Sequence, residues 1–334
     1  MSKRVQRRQF IGLLGGAATA SSALWPLAAR AQQPAVPLVG VLRSTPAAPF
    51  AHLIEALRQG LKDEGLAEGR NFALEQRWAN NQLGRLPELT ADLIRQQVSV
   101  IVGNQQAVAA AKAATTTIPI VFVVADDPVK SGLVANLNRP TENLTGVTFF
   151  GGSELNPKRL ELLHELVPKA VTVAILLDPN YEAFVQELPD TEAAARALGL
   201  RTVVVKAGSE AGLAAAFTSV AQSGAGAMLV SGGPFFTSQR RALVELAARH
   251  RIPAIYDLVE FVQAGGLISY SASIAGAYRQ AGVYAGKILK GAKPSDLPVL
   301  QPITFELALN LKTARTLGLN VPPSIQLRAD QVIE

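Results

Sequence analysis

The 334-residue sequence contains no cysteine and only three histidines. Without cysteine the protein has no disulfide, no thiolate metal ligand and no cysteine nucleophile, and a lipid anchor on an N-terminal cysteine is excluded. Long apolar runs are also missing after the first 31 residues. The longest, Ile118–Ala125, is interrupted by Pro119 and is too short to cross a bilayer. We therefore expect a mature protein that is free of the membrane.

A surplus of basic charge is missing from most of the chain. The sequence has 32 Lys and Arg against 26 Asp and Glu, but residues 1–31 hold five of the basic residues and no acid, which leaves 27 against 26. A nucleic-acid partner needs a surplus of basic side chains to displace counterions from phosphates. No nucleic-acid partner is therefore expected.

Residues 1–31 have the layout of an export signal. A basic start precedes an apolar stretch rich in small residues, and Ala29–Ala31 has the form of an A-x-A cleavage site. Arg7-Arg8 is similar to the twin-arginine export signal. The alternative is an uncleaved membrane anchor, although two glycines and a proline interrupt the stretch. We predict a signal removed near the Ala31–Gln32 bond and a periplasmic mature protein.

From residue 36 onward, the apolar pattern alternates strands with amphipathic helices. Such alternation predicts βαβ units and parallel sheets. The runs VSVIV and IPIVFVV lack polar alternation, which is typical of strands covered by helices on both faces. One series extends from strand Val36–Leu42 to strand Pro119–Val124, and a second from Thr145–Phe150 to Gly266–Tyr270. We predict an α/β protein with two doubly wound parallel-sheet lobes.

The elements after Tyr270 are too few for a third domain. They comprise a helix (Ile274–Lys290), a strand (Gln301–Leu309) and a helix (Leu311–Leu317). We predict that they return to the first lobe and cross again to the second, which gives a multi-strand hinge. The predicted lobes are residues 36–148 with about 272–297, and residues 149–271 with about 298–330.

A search for catalytic motifs finds none in the mature chain. His52, His164 and His250 all fall on predicted amphipathic helices, and no G-x-S-x-G, Walker, Rossmann or H-E-x-x-H motif is present. Asp126 and Asp127 follow a buried strand, but adjacent residues in a turn point apart and no second cluster completes a site. We predict no catalytic site, no metal and no cofactor.

Candidate ligand residues follow the predicted strands, because ligands of open α/β sheets bind beyond the carboxyl ends of the strands. Two such sheets facing each other enclose a ligand, and a hinge permits closure around it. The candidates are Arg43, Ser44, Thr45, Asn104, Gln105, Asp126, Asp127, Asn180, Tyr181, Pro234, Phe235, Tyr256, Asp257 and Tyr270, together with Glu260 in a predicted short helix. This mixture of donors, acids and rings suits a zwitterionic amino acid.

Several candidates have structural interpretations that the sequence leaves open. Asn180 follows Asp178-Pro179 and can form a turn or cap the next helix. Asp126 and Asp127 can cap a helix in place of contacting a ligand. Glu260 can contact a ligand or only begin a helix, and aromatic side chains at strand ends often close a core.

The chain also resembles the ABC-transporter substrate-binding proteins, in the group that includes tryptophan- and tyrosine-binding members. The resemblance covers essentially the whole chain and rests on the order and spacing of segments that include EQRWANNQLGRLPELTADLIRQQVSVIV, AAKAATTTIPIVFVVADDPVKSGLVANLNRP, KRLELLHELVPKA, PAIYDLVEFVQAGGLISYSAS and AGKILKGAKPSDLPVLQPITFELALNLKTARTLGL. It implies the type I periplasmic-binding fold and, as partners, a small solute and the membrane subunits of an ABC permease.

These observations predict a monomeric periplasmic carrier without enzymatic activity. We expect it to capture an amino acid or related carboxylate, aromatic ones included, by hinge closure. The alternatives are an exported enzyme and a sensory or regulatory ligand-binding protein on the same scaffold. Turnover of a substrate would favour the enzyme, and tight binding without turnover would favour transport.

Overall fold

The computed structural model describes residues 36–140, 142–149, 155–301 and 303–334. The predicted export signal lies outside these residues. Within the described part of the chain, no helix combines the length and the apolar character needed to cross a membrane.

The first lobe is built on a five-stranded parallel sheet with strand order β2-β1-β3-β4-β5. Its strands are β1 (Leu38–Arg43), β2 (Ala73–Trp78), β3 (Val100–Asn104), β4 (Ile120–Val124) and β5 (Leu144–Thr148), and its helices are α1 (Ala51–Asp63), α2 (Leu86–Arg95) and α3 (Gln105–Ala114). In the register, Val41 of β1 pairs with Gln76 and Val102. Every residue of β3, β4 and β5 is buried, as expected for strands with helices on both faces.

The second lobe is built on a seven-stranded sheet with order β12-β11-β10-β9-β8-β6-β7. Its strands are β6 (Thr172–Leu177), β7 (Arg201–Lys206), β8 (Ala227–Val230), β9 (Ala254–Tyr256), β10 (Ile268–Ser271), β11 (Glu306–Asn310) and β12 (Gln331–Ile333). The helices that follow β5 along the chain are α4 (Leu155–Leu166), α5 (Glu182–Ala197), α6 (Glu210–Gln222), α7 (Pro234–Ser238), α8 (Arg240–Arg249), α9 (Val259–Gln263), α10 (Ile274–Leu289), α11 (Leu311–Thr316) and α12 (Pro323–Arg328).

The predicted α/β fold with two parallel-sheet lobes is confirmed, with differences in detail. β11 runs antiparallel to β10, so the second sheet is mixed. The short elements α12 and β12 lie in a segment for which the sequence predicted neither helix nor strand. α7 forms between β8 and α8, where the sequence predicted no element, because Pro234 at its first turn favours a helix start.

Helix α10 packs against α1 and the first sheet, although it follows β10 of the second sheet. The two helices approach so closely that a methyl group at Gly60 would overlap the carbonyl oxygen of Arg279, and one at Gly282 would overlap that of Leu57. Glycine at these positions therefore permits the return of the chain to the first lobe.

The segment after α10 also touches the first sheet before the chain enters the second. Leu300 pairs with Val147 of β5: its amide donates to the oxygen of Gly146 (3.0 Å), and its oxygen accepts from the amide of Thr148 (2.9 Å). The chain thus passes between the two sheets after β5, after β10 and before β11.

Candidate functional site

The carboxyl ends of the parallel strands of both lobes face one cleft. In the first lobe, β1 ends at Arg43 and β3 at Asn104. In the second lobe, Tyr181, Gly233 and Asp257 follow β6, β8 and β9. All five residues line the same cavity, so the site is assembled from both lobes.

Two adjoining cavities occupy this cleft. We call the first the aromatic cavity; its wall includes Phe50, Phe149, Tyr181, Pro234 and Tyr278, with Arg43 among them. We call the second the polar cavity; its wall includes Asn156, Arg159, Phe184, Glu187 and Ser271. Phe149, Tyr181 and Asp257 belong to both walls, so one elongated ligand could contact both.

Hydrogen bonds join the two lobes at the edge of the cleft. Asn81 donates from Nδ2 to the hydroxyl of Ser238 over 3.2 Å, which links the first lobe to α7. His52 of α1 lies 3.4 Å from Glu260 of α9, measured from Nε2 to Oε1. The lobes are therefore in contact around the cavities.

Arg43 is the buried cation of the aromatic cavity. It is 2% exposed, and its Cζ lies 4.2 Å from the ring centroid of Phe50 and 5.2 Å from that of Tyr278. Nε donates to the hydroxyl of Thr45 (3.2 Å) and Nη1 to the hydroxyl of Tyr278. Burial lowers the pKa of Arg43 to about 9, so the side chain stays charged at neutral pH.

Arg159 is the buried cation of the polar cavity, and acids surround it. It donates from Nε to the main-chain oxygen of Tyr270 (2.9 Å) and from Nη1 to Oδ1 of Asn156 (2.9 Å). Asn156 in turn donates to Glu187 over 3.0 Å. Burial lowers the pKa of Arg159, while the negative charges of Asp257 and Glu187 oppose that shift. The negative charges of Asp257 and Glu187 thus favour the charged form of Arg159.

Several carboxyl groups at the cleft have raised pKa values because they are buried, among them Asp257, Glu187 and Asp126. Burial raises the pKa of Asp257 and of Glu187 to about 7 and that of Asp126 to about 6. Oδ1 of Asp257 has no hydrogen-bond partner among the described residues. An ammonium group could supply both the missing partner and the opposite charge.

Six predicted site residues line the aromatic cavity: Arg43, Asn104, Gln105, Tyr181, Pro234 and Asp257. One of these has a structural role as well. Asn104 donates from Nδ2 to the hydroxyl of Ser44 (2.8 Å) and accepts from its amide (3.0 Å), which ties β3 to the end of β1.

Other predicted residues line neighbouring cavities at the cleft edge. Ser44, Asn180 and Phe235 lie in the wall of one. Asp126 and Asp127 lie in the wall of another. Asp127 accepts from the amide of Val129 (2.9 Å) and so stabilises a turn; the helix cap that the sequence left open is not formed, because no helix lies between β4 and β5 in the described chain.

Three predicted site residues lie away from the two cavities. Tyr256 is 1% exposed and stacks on Phe261 with ring centroids 4.7 Å apart, so its ring belongs to the core. Glu260 faces His52 at the cleft edge. The ring of Tyr270 lies beside that of Phe305 (6.0 Å between centroids), and its main-chain oxygen accepts a hydrogen bond from Arg159. Successive side chains at the end of a strand point in opposite directions, and the sequence could not show which of them points into the cleft.

Sequence reasoning missed Phe50, which precedes α1, and the cavity residues carried by helices: Asn156, Arg159, Glu187 and Tyr278. A signal was available for Asn156 and Arg159, which are polar residues spaced three positions apart and so share one face of a helix. The structure shows that both are buried on α4. No group of three or more His, Asp or Glu residues in the described chain is placed to hold a metal ion.

Comparisons with known sequences identify relatives along most of the chain. A family model described as ABC transporter substrate binding protein matches residues 44–333. A curated relative, the tyrosine-binding protein of Clostridioides difficile (strain R20291), is 23% identical over 278 residues, which cover 82% of this chain and 77% of the relative.

Solved structures share the fold. A conserved domain protein from Vibrio cholerae has a TM-score of 0.82 at 23% identity and covers 89% of this chain and 99% of its own. The ABC domain from Streptococcus pneumoniae in complex with L-Trp has a TM-score of 0.80 at 24% identity, with the same coverage. A 5-methylthioribose transporter solute-binding protein from Thermotoga lettingae has a TM-score of 0.58 at 14% identity and covers 87% of this chain and 97% of its own.

Proposed function

The chain belongs to the ABC transporter substrate-binding protein family, and on that premise we propose that it captures a small organic ligand between its lobes and delivers it to the permease of an uptake transporter. Its family resemblance, predicted from sequence, is confirmed by the family match and the curated relative. The same relatives confirm that the chain is a binding protein and not an enzyme.

One observation carries the proposed mode of binding: a basic and an acidic side chain from opposing lobes line one cavity. Arg43 belongs to the first lobe and Asp257 to the second, and aromatic residues line the same cavity. A ligand that contacts both groups favours the state in which the lobes are closed. Closure around the ligand is then driven by its differential affinity for the closed state.

We propose that the ligand is an amino acid or a related carboxylate with an aromatic side chain. The rings of Phe50, Phe149, Tyr181 and Tyr278 supply an apolar site for a planar group. The curated relative binds tyrosine by its name, and the Streptococcus structure contains L-Trp, which supports the same class.

The location and assembly state are part of the proposal. The basic, apolar and small-residue pattern of residues 1–31 supports export to the periplasm with cleavage near the Ala31–Gln32 bond. We propose that the mature protein acts as a monomer, with lobe boundaries as predicted, so that its hinge can open and close independently.

The test is a thermal-shift and calorimetric screen of purified residues 32–334. The panel contains L-tyrosine, L-tryptophan, aromatic carboxylic acids, aliphatic amino acids and sugars. A ligand that binds only the folded state raises Tm with concentration by mass action. We expect an aromatic amino acid or acid to give the largest shift without being consumed. The absence of any saturable binder in the panel would contradict the proposed function.

A further inference from the structure

The two buried arginines of the cleft differ in how their charge is balanced. Arg159 lies close enough to Asp257 and Glu187 for their negative charges to support its protonated form. Arg43 forms no ion pair with a carboxylate anywhere in the described part of the chain, and its only side-chain acceptors are the hydroxyls of Thr45 and Tyr278.

The guanidinium of Arg43 also has donors to spare. Arginine carries five N–H donors, and the two hydrogen bonds of Arg43 use one at Nε and one at Nη1. Within the described residues Nη2 donates no hydrogen bond, yet the side chain lines the aromatic cavity. A planar fork of free donors matches the geometry of a carboxylate, which can accept two parallel bonds.

In the described chain, aromatic rings, and not carboxylates, surround the guanidinium of Arg43, which suits the binding of a ligand anion. Its guanidinium lies over the ring of Phe50, with Trp78 at 5.9 Å and Tyr278 at 5.2 Å. These rings remove water and hold the cation in place without neutralising it. A buried charge without a counter-charge is unfavourable, and a ligand anion would relieve that state.

We infer that Arg43 binds a carboxylate of the ligand inside the aromatic cavity, so that an acidic group is obligatory and neutral solutes of similar shape are rejected. This inference rests on the proposed function and narrows its ligand class. It also fixes the ligand's orientation: the acidic group lies at Arg43, and a cationic group, where present, lies towards Asp257 at the polar cavity. A sugar has no anionic group and would leave the charge of Arg43 unpaired. This alone discriminates against sugars, without any further contact.

The experiment pairs variants with matched ligands. L-tyrosine, L-tyrosinamide, 3-(4-hydroxyphenyl)propionate and tyramine share one ring and differ in their acidic and amino groups, and the corresponding tryptophan series is measured beside them. Affinities are measured by calorimetry for the wild-type protein, Arg43→Gln and Arg43→Lys. The control variant is Arg249→Gln, whose native side chain is exposed on α8 and pairs with Glu245 of the same helix.

Removal of one partner of a buried charged pair weakens binding by about 30-fold or more. We therefore expect the wild type to prefer each acid to its amide or amine by at least about 30-fold. Arg43→Gln should lose about 30-fold for the acids and bind acid and amide within about threefold of each other. The affinity of Arg43→Lys for the acids should lie between those of wild type and Arg43→Gln, because lysine keeps the charge and lacks the planar fork of donors. Arg249→Gln should behave as wild type.

The Tm of the ligand-free variants shows whether Arg43 acts in ligand recognition or in folding. Because Arg43→Gln removes an unpaired buried charge, the ligand-free variant should have a Tm equal to or above that of wild type. A lower Tm with unchanged preference for the acid would assign Arg43 a structural role and overturn the inference. Amides that bind the wild type as tightly as acids, or a sugar as the only binder in the screen, would also overturn it while leaving the carrier function intact.

Discussion

Arg240 of α8 donates a hydrogen bond of 3.0 Å from Nη2 to the main-chain oxygen of Pro49, which joins the second lobe to the first. Its Nη1 holds the oxygen of Thr237 in α7 at 3.1 Å, so the same side chain fixes the wall of the cleft and the contact across it. Both bonds need the guanidinium fork, which arginine alone supplies.

Arg240→Ala should weaken ligand binding without touching the ligand. The variant loses a charged hydrogen bond that exists only when the lobes meet, and for a partly exposed group we expect a loss of about 1 kcal/mol, or about fivefold in affinity. Calorimetry should show this loss, and stopped-flow should show that it lies mainly in faster dissociation. Arg249→Ala on the same helix is the control. Equal affinities for the two variants would show that the Pro49 bond does not stabilise the closed state.

The sequence predicted the fold well because the long strands and helices each have a recognisable pattern of apolar residues. The apolar runs at β3 and β4 and the amphipathic helices between them mark a buried parallel sheet. The elements it missed, α7, α12 and β12, have only three to six residues, which is too short for a period to be visible. Their positions depend on contacts with distant segments, such as β12 on β11.

The site was predicted less completely, since two lobes contribute to it. Strand ends identified Arg43, Tyr181 and Asp257, because the rule that ligands bind beyond the carboxyl ends of parallel strands needs only the position of each strand. Tyr278 and Glu187 could not be identified in this way. They lie within helices, and only the return of α10 to the first lobe brings Tyr278 to Arg43.

The ligand-free protein should become less stable as pH rises from about 5 to 8. The folded-state pKa of Asp257 is raised to about 7, so the folded protein holds a proton that the unfolded chain has lost. That stabilisation is complete below the ordinary carboxyl pKa and disappears as pH rises through about 7. At about 1.4 kcal/mol per pKa unit, its upper limit is about 4 kcal/mol.

Asp257→Asn should flatten this pH dependence of Tm. The variant keeps the shape of the side chain and cannot ionise, so the difference in Tm between pH 5 and pH 8 should shrink relative to wild type. Arg159 and Glu260 act on Asp257 in opposite directions and are unchanged in the variant. The exposed Asp296→Asn serves as control. A slope identical to wild type in Asp257→Asn would contradict the raised pKa.

Gly282→Ala should separate α10 from α1. The added methyl group would overlap the carbonyl oxygen of Leu57, and main chain cannot move aside as a side chain can. Overpacking of about 1–3 kcal/mol outweighs the gain of about 1 kcal/mol in helix propensity, so Tm should fall by several degrees. Gly276→Ala, in the first turn of α10 with its nearest neighbour at 3.4 Å, should leave Tm unchanged or raise it. Equal Tm values for both variants would contradict the close packing.

Tyr181→Ala should weaken the binding of L-tyrosine and L-tryptophan by about 30-fold or more. The ring is 5% exposed and forms part of both cavity walls, so its removal merges the cavities and exposes the ligand to water. Tyr181→Phe keeps the ring and should stay within about threefold of wild type in calorimetry. Because Tyr181 also packs in the core of the second lobe, titrations should be run well below the Tm of each variant. Wild-type affinity in a folded Tyr181→Ala protein would place the ligand outside these two cavities.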